Sequence, residues 1–395
     1  MISVIDLPRP IDEDLAADIE KESAFVSRHL SRLRVHGARD AIEIEVDDEA
    51  HDCEVRGKVD RFLEAMLKRT HKFETKIFYR NERRDDRPFV DNVHERLRQR
   101  GWIFDYGHGH VALSGPVLAL ARLIDSQAAE LYRSHFGASA MSFPAFIDAE
   151  ILRRCGYFDS HPNAVSFVGH VVEDFDALEA FRQANSCADH SILPPSEQVR
   201  LPGLCLNPAA CFPCYPALRG QHTGGKALTW QGRVFRYESR NLAGLDRLWE
   251  FNVRELVFVG SEEYVAECRQ RALPLIGELA AMLDLECTIE TANDPFFATV
   301  AAARSFWQRA QEVKNEIMLP IERRVDGKSR RLACGSINLH GAFFCDRFGI
   351  KTDGGTGAVT GCIGLGIERW VFAAFAQHGF EPERWPGRVR DQIFG

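Results

Sequence analysis

Apolar positions recur along the chain in two periods, and their alternation predicts its elements. AIEIEVDDEA (41–50) alternates like a half-buried strand, and KIFYRNER (76–83) reads the same way. VDRFLEAMLKRTHKF (59–73) has helical spacing, and VHERLRQRGWIFDYGHGHVAL (93–113) reads as a helix followed by a hairpin. A longer helix, PVLALARLIDSQAAELYRSHF (116–136), stops at Gly137 and leads into a short strand ending at Pro144. Helices are expected over 174–185, 262–284 and 305–319, and strands over 163–172 and 285–294. RRLACGSINLHGAFFCDRFGI (330–350) reads as strand, turn and strand, with Ser336, Asn338 and His340 on one face. GAVTGCIGLGIERWVFAAFAQHGF (357–380) reads as a strand, a Gly-rich turn and a helix with Glu368 and Arg369 in its first turn, ending at Gly379.

A length of 395 residues leaves room for two or three domains, and the pattern divides into an N-terminal unit, 1–112, of mixed α/β character and a larger unit, 113–395. With 45% hydrophobic and 27% charged residues the composition is that of a soluble globular protein, and a net charge of −8 gives no basic signature of the kind nucleic-acid binders carry. No apolar run reaches the roughly 18 residues of a membrane helix, and no leader pattern opens the chain, so a cytoplasmic protein with no membrane partner is expected. The 11 cysteines are an odd number spread over a long chain, unlike a secreted disulfide framework.

Three stretches carry chemistry. In RVFRYESRNLAGLDRLWEFNVRELVFVG (233–260), extended backbone would put Arg236 and Glu238 on one face, and Arg247, Phe251 and Glu255 on another shared face. Two guanidinium forks, an aromatic plate and two carboxylates suit a nucleoside triphosphate, because arginine grips phosphate oxygens bidentately and an aromatic face stacks on a base. The spacing of four also fits one face of a helix, although the Val and Phe content of ELVFVG favours strand. Cys211 and Cys214 form a CxxC without the second CxxC of a zinc ribbon. Arg369 behind glycines at a helix start is a phosphate-binding arrangement, but neither a GxGxxG in Rossmann order nor a P-loop is present.

In chain order, a long helix with a strand ending in proline, then FRYE-loop-RxxxFxxxE, then GLGIER resemble motifs 1, 2 and 3 of the class II aminoacyl-tRNA synthetases. With Cys211, Glu255 and Cys362 in their places, the chain resembles the zinc-dependent branch, which holds the methanogenic-type seryl-tRNA synthetases and their truncated relatives, the amino acid:[carrier protein] ligases. GYFDSHP, TANDPFF, KNEIMLP and GCIGLGIERW look like the ligases in particular, and the resemblance runs from about 113 to the C-terminus.

The resemblance implies an α+β fold, an antiparallel sheet flanked by helices, with a smaller N-terminal α/β domain. It implies Zn2+ on Cys211, Glu255 and Cys362, with Cys214 competing for the first position, and an open fourth position for the substrate amino group. Arg236 and Arg369 would be catalytic through the phosphates of ATP, Glu238 would lie on the adenine side, Arg247 would reach the far phosphates and Phe251 would stack on the base, with Leu248 beside them. Lys314 and Ser336 are implied on the ATP side, and Asp294, Asn338 and Gly364 beside the amino acid. An ordinary surface lysine and a helix-capping aspartate remain the alternatives for Lys314 and Asp294. Class II enzymes hold Mg2+ with a glutamate ahead of motif 3, but RRLACGSINLH has none, so Ser336 and Asn338 are its nearest oxygen donors.

The expected reaction is ATP-dependent activation of glycine or alanine to an aminoacyl-adenylate, followed by transfer to the phosphopantetheine thiol of an acidic carrier protein by a homodimer. The acidic N-terminal unit and the chain's end at Gly395 argue against tRNA as acceptor. A serine-to-tRNA ligase is the alternative, and a non-catalytic class II paralogue acting as a regulatory module is a second.

Overall fold

The structure is a computed structural model that describes residues 1–67, 75–84, 87–185, 198–242, 244–292, 314–323 and 329–395. Strands β1 (Ile2–Asp6), β2 (Leu30–Val35) and β3 (Ala41–Val46) form a small antiparallel sheet in the order β1-β3-β2. Helices α1 (Glu13–Glu22) and α2 (Asp52–Leu67) close it around Ile19, Leu30, Ile42, Ile44, Val55, Val59 and Met66. Each fully buried aliphatic side chain of this kind contributes about 1.5–3 kcal/mol by leaving water.

The rest of the chain is built on one eight-stranded sheet. Its strands are β4 (Ile77–Asn81), β5 (Ser139–Ala140), β6 (Lys226–Phe235), β7 (Glu250–Gly260), β8 (Cys287–Thr291), β9 (Lys314–Arg323), β10 (Ser329–Gly341) and β11 (Val359–Gly366), in the spatial order β4-β8-β9-β10-β11-β7-β6-β5. Every pairing is antiparallel except β5 with β6. Helices α3 (Gly115–Phe136), α4 (Glu262–Met282) and α5 (Ile367–His378) pack together over one face. Their apolar sides meet Leu256, Phe258, Ile337, Ile363 and Leu365 in the main core. Gly137 ends α3 in the left-handed conformation, at φ 61°, where glycine alone has no side-chain penalty.

β7 is central and buried on both faces from Leu256 to Gly260, which is why ELVFVG reads as a nearly continuous apolar run. The strand register then fixes the opposite face. Glu255 pairs with Gly364, Gly364 with Ser336, and Cys362 with Asn338. Because side chains alternate with a period of two, these residues share one face.

Several expectations give way to this architecture. Residues 314–319 belong to a strand, not a helix, because Ile317, Leu319 and Ile321 alternate into the main core and β9 is paired on both sides. Long-range pairing outweighs a local helical period. Phe343–Phe348 is a short helix where a strand was expected. Gly361, Gly364 and Gly366 lie within β11, not in a turn, and α5 follows directly. A Cβ at Gly361 would stand 2.2 Å from the Phe258 ring, so close packing explains that glycine. The packing also changes between 67 and 77, not at 112, since β4 joins the large sheet and Val90, Val93, Leu97 and Ile103 join its core. No helix among the described residues is long and apolar enough to cross a membrane.

Candidate active site

Cys211, Glu255 and Cys362 converge on the sheet face away from the main helices, with their ligand atoms all within 4.8 Å of one another. Among the described residues no other three His, Cys, Asp or Glu side chains form such a group. Cys211 arrives from the loop ahead of a short helix, Cys214–Ala217. Cys214 N donates to Cys211 O, and the Cys214 side chain is fully buried outside the group. The face is completed by β10. Asn338 Nδ2 donates to Ser336 Oγ at 2.9 Å and lies 3.5 Å from Cys362 Sγ, and His340 Nε2 stands 3.7 Å from the same sulfur.

The electrostatics of this group call for a cation. Burial, then the adjacent Cys362, holds the Glu255 carboxyl well above its usual range, and only Arg236 opposes them. Cys362 is pushed up by its hydrogen bond with Cys211 and by burial. For Cys211, the Cys362 contact acts downward, but burial and Glu255 leave its thiol raised. Three buried acids at such range are costly to ionise together. A divalent ion would remove that cost, and two thiols with one carboxyl match zinc with three protein ligands and one open position.

The residues implied to bind ATP lie next to this group. Arg236 leaves the end of β6 with Nε bonded to Pro208 O at 2.8 Å, and its guanidinium stands 5.8 Å from the Phe251 ring centre. Arg369, in the first turn of α5, donates to Asp246 O and Ala333 O, each at 2.9 Å. Arg247 is in the loop before β7, not on the strand, and pairs with Glu238 at 2.7 Å. The structure thus joins Arg236, Glu238, Arg247, Phe251 and Arg369 around one strand junction. Leu248 turns its side chain into the main core. Gly364 faces Glu255, and a Cβ there would lie 3.0 Å from Oε2. Asp294 lies outside the described residues.

Lys314 is not a surface lysine. It is buried at the start of β9, opposite Asn338, and pairs with Glu316 at 3.1 Å. Glu316 is in register with Ser336 and so supplies this face with the carboxylate that RRLACGSINLH lacks. Reading 305–319 as a helix hid it, since alternation is the signal that would have put Glu316 beside Lys314. Glu368 also took a role that its place in a motif did not reveal. Its buried carboxylate accepts from Asn252 N and Nδ2, tying the first turn of α5 to β7 and so fixing where Arg369 points.

No protein-family model matches the chain. Among curated proteins, amino acid–[acyl-carrier-protein] ligase 1 of Bradyrhizobium diazoefficiens is 32% identical over 288 residues, which is 69% of this chain and 82% of that protein. The chain belongs to this ligase family. Ligase 2 of the same organism is 34% identical over 260 residues, covering 64% of the chain and 74% of that protein. The chain is also similar to type-2 serine–tRNA ligases, of which the Methanopyrus kandleri protein is 29% identical over 321 residues, or 77% of this chain. The match spans 60% of that protein's length. Among solved structures, M. kandleri SerRS in complex with A. aeolicus tRNASec aligns with a TM-score of 0.70 at 24% identity, over 99% of this chain and 77% of that one. The class II synthetase fold expected of a ligase of this family is the fold observed.

Proposed function

We propose that this chain activates a small amino acid, glycine or alanine, with ATP and transfers it to the phosphopantetheine thiol of a carrier protein. The observation that carries the reading is that the loop delivering Cys211 to the buried Cys211, Glu255, Cys362 group also anchors Arg236, through Nε to Pro208 O, and that Arg236 bears on Glu255 of that group. Cys211, Glu255 and Cys362 would hold zinc, which would supply a Lewis acid for the substrate amino group. An amino acid held beside that group has its carboxylate toward Arg236. The carboxylate oxygen attacks the α-phosphorus of ATP, the bond to the β-phosphate bridging oxygen breaks, and pyrophosphate leaves with magnesium. Arg236 and Arg369 hold the phosphates in line, which is positioning and charge stabilisation and needs no general base. Glu316, Ser336 and Asn338 would be the oxygen donors for magnesium. In the second step the thiolate attacks the acyl carbon and AMP leaves, the thiol proton passing to solvent.

Amino-acid-dependent ATP–pyrophosphate exchange tests the first step, and thioester formation on a holo carrier protein tests the second. Exchange is expected with glycine or alanine, with a thioester on the holo carrier and none on the apo form. Strong activation of leucine or phenylalanine would contradict a small amino acid as the substrate. The alternative, serine attachment to tRNA, is favoured by one observation, that the serine–tRNA ligase fold covers 99% of the chain, N-terminal unit included. Charging of total tRNA with no thioester on any carrier would establish that alternative. The reading includes a homodimer built on α3 and the short strand after it. Light scattering is expected to give twice the chain mass of 44.6 kDa, and a monomer at micromolar concentration would remove that part.

A further inference from the structure

The N-terminal unit carries no nucleotide-binding motif, yet its first helix ends at the arginine junction. The turn after α1, Ser23–Phe25, packs on the turn Ser239–Asn241 that follows Glu238. Asn241 Nδ2 donates to Lys21 O at 2.8 Å, which pins the last turn of α1 to the nucleotide loop. Lys21 is half-buried there. The charges that face it are Arg247, Glu238 and Arg369 from the large unit and Asp18 from its own helix. Among the described residues its ammonium makes no ion pair or side-chain hydrogen bond, and Glu238 is already engaged by Arg247 at 2.7 Å.

We propose that Lys21 is a phosphate-binding residue of the nucleotide site, supplied by the N-terminal unit to the β- and γ-phosphates of ATP next to Arg247 and Arg369. The proposal rests on the adenylation reading above, and it gives the N-terminal unit a part in that reaction. Three cations, Lys21, Arg247 and Arg369, meet two carboxylates, Glu238 and Asp18, with Glu238 already paired to Arg247, so the cluster keeps an excess of positive charge that suits a polyphosphate. Burial and the neighbouring Arg247 pull the Lys21 ammonium below its ordinary pKa, and an anion seated between them would reverse that shift. The lysine faces Arg247, the residue implied for the far phosphates, and Arg369, so its contribution belongs to the phosphate tail.

The test compares Lys21→Met and Lys21→Arg with the wild type, all as full chains. Calorimetry with ATP, AMP and inorganic pyrophosphate accompanies pyrophosphate-exchange kinetics and thermal melting. Lys21→Met is expected to raise the KM for ATP and weaken pyrophosphate binding by about tenfold or more, the worth of one charge-assisted hydrogen bond. AMP affinity, the KM for the amino acid and the melting temperature should stay as in the wild type, and Lys21→Arg should recover most of the loss. An unchanged ATP KM and pyrophosphate affinity in Lys21→Met would overturn the proposal. So would a faster enzyme, which would make the lysine a plug, or a parallel loss of AMP binding and thermal stability, which would make it structural. A wild type that shows no exchange with any amino acid, but binds pyrophosphate through Lys21, would sink the adenylation reading and leave the phosphate role standing.

Discussion

The purified protein is expected to carry one zinc per chain, and Cys362→Ser to lose both the metal and adenylate formation. Cys362 Sγ sits with Cys211 Sγ and a Glu255 oxygen inside a 4.8 Å group, and a serine hydroxyl in its place is a poor zinc ligand. Loss of a ligand should cost more than loss of the groups behind it, so activity should fall at least ~100-fold. Cys214→Ser is the informative contrast, because Cys214 is fully buried but outside the group. It should lower stability and keep the metal. Elemental analysis with exchange kinetics decides, and a metal-free wild type with full activity would refute the assignment. A pH dependence follows. Glu255, Cys211 and Cys362 all have folded pKa values above their ordinary ones, 4.5 for the carboxyl and 9.0 for the thiols. Without metal, the folded state keeps protons that the unfolded chain releases, so this contribution to stability is complete below pH 4.5 and declines as pH rises, first for Glu255 and then past 9 for the thiols. Melting of chelator-treated protein should show that decline. Zinc should suppress it and bind more tightly as pH rises, since it displaces the same protons.

Arg236→Ala is expected to lower the rate of adenylate formation by ~10²–10³-fold with a small change in the KM for the amino acid, as for loss of one preorganised donor to developing charge. Its Nε bond to Pro208 O orients the guanidinium fork before substrate arrives. Arg236→Lys should recover little, because an ammonium cannot reproduce the fork. Phe251→Leu should act differently, raising the KM for ATP with less effect on rate, in keeping with a stacking contribution of about 1–3 kcal/mol. Single-turnover kinetics separate the two, and an Arg236→Ala protein with an unaltered chemical step would remove the arginine from the mechanism. Arg236 is also the cation that draws the Glu255 pKa down. Its loss should therefore weaken zinc loading at low pH as well.

The amino-acid order alone carried the parts of this protein that local physics writes into a short stretch. The helix of 22 residues closed by Gly137, the helix after Ser261, the hairpin around Gly107 and the strand ELVFVG each follow from periodicity, a cap or a turn. The Cys, Glu, Cys set and the arginines stood out only through motif order and the resemblance it carries, not through periodicity or spacing. Tertiary structure decided what depends on pairing across the chain. Strand register set Glu255 opposite Gly364 and Cys362 opposite Asn338, and the loop that carries Cys211 packs onto that face, so that three candidate ligands meet from segments far apart in the chain. It chose Cys211 over Cys214, a choice that CxxC spacing leaves open. It turned 314–319 into a strand and brought Lys314 and Glu316 to the site. It also set Lys21 against Arg247, although no signal in the first 67 residues points to a nucleotide. Local sequence encodes the elements because their energetics are local, whereas burial, register and the meeting of like charges exist only once distant segments have packed.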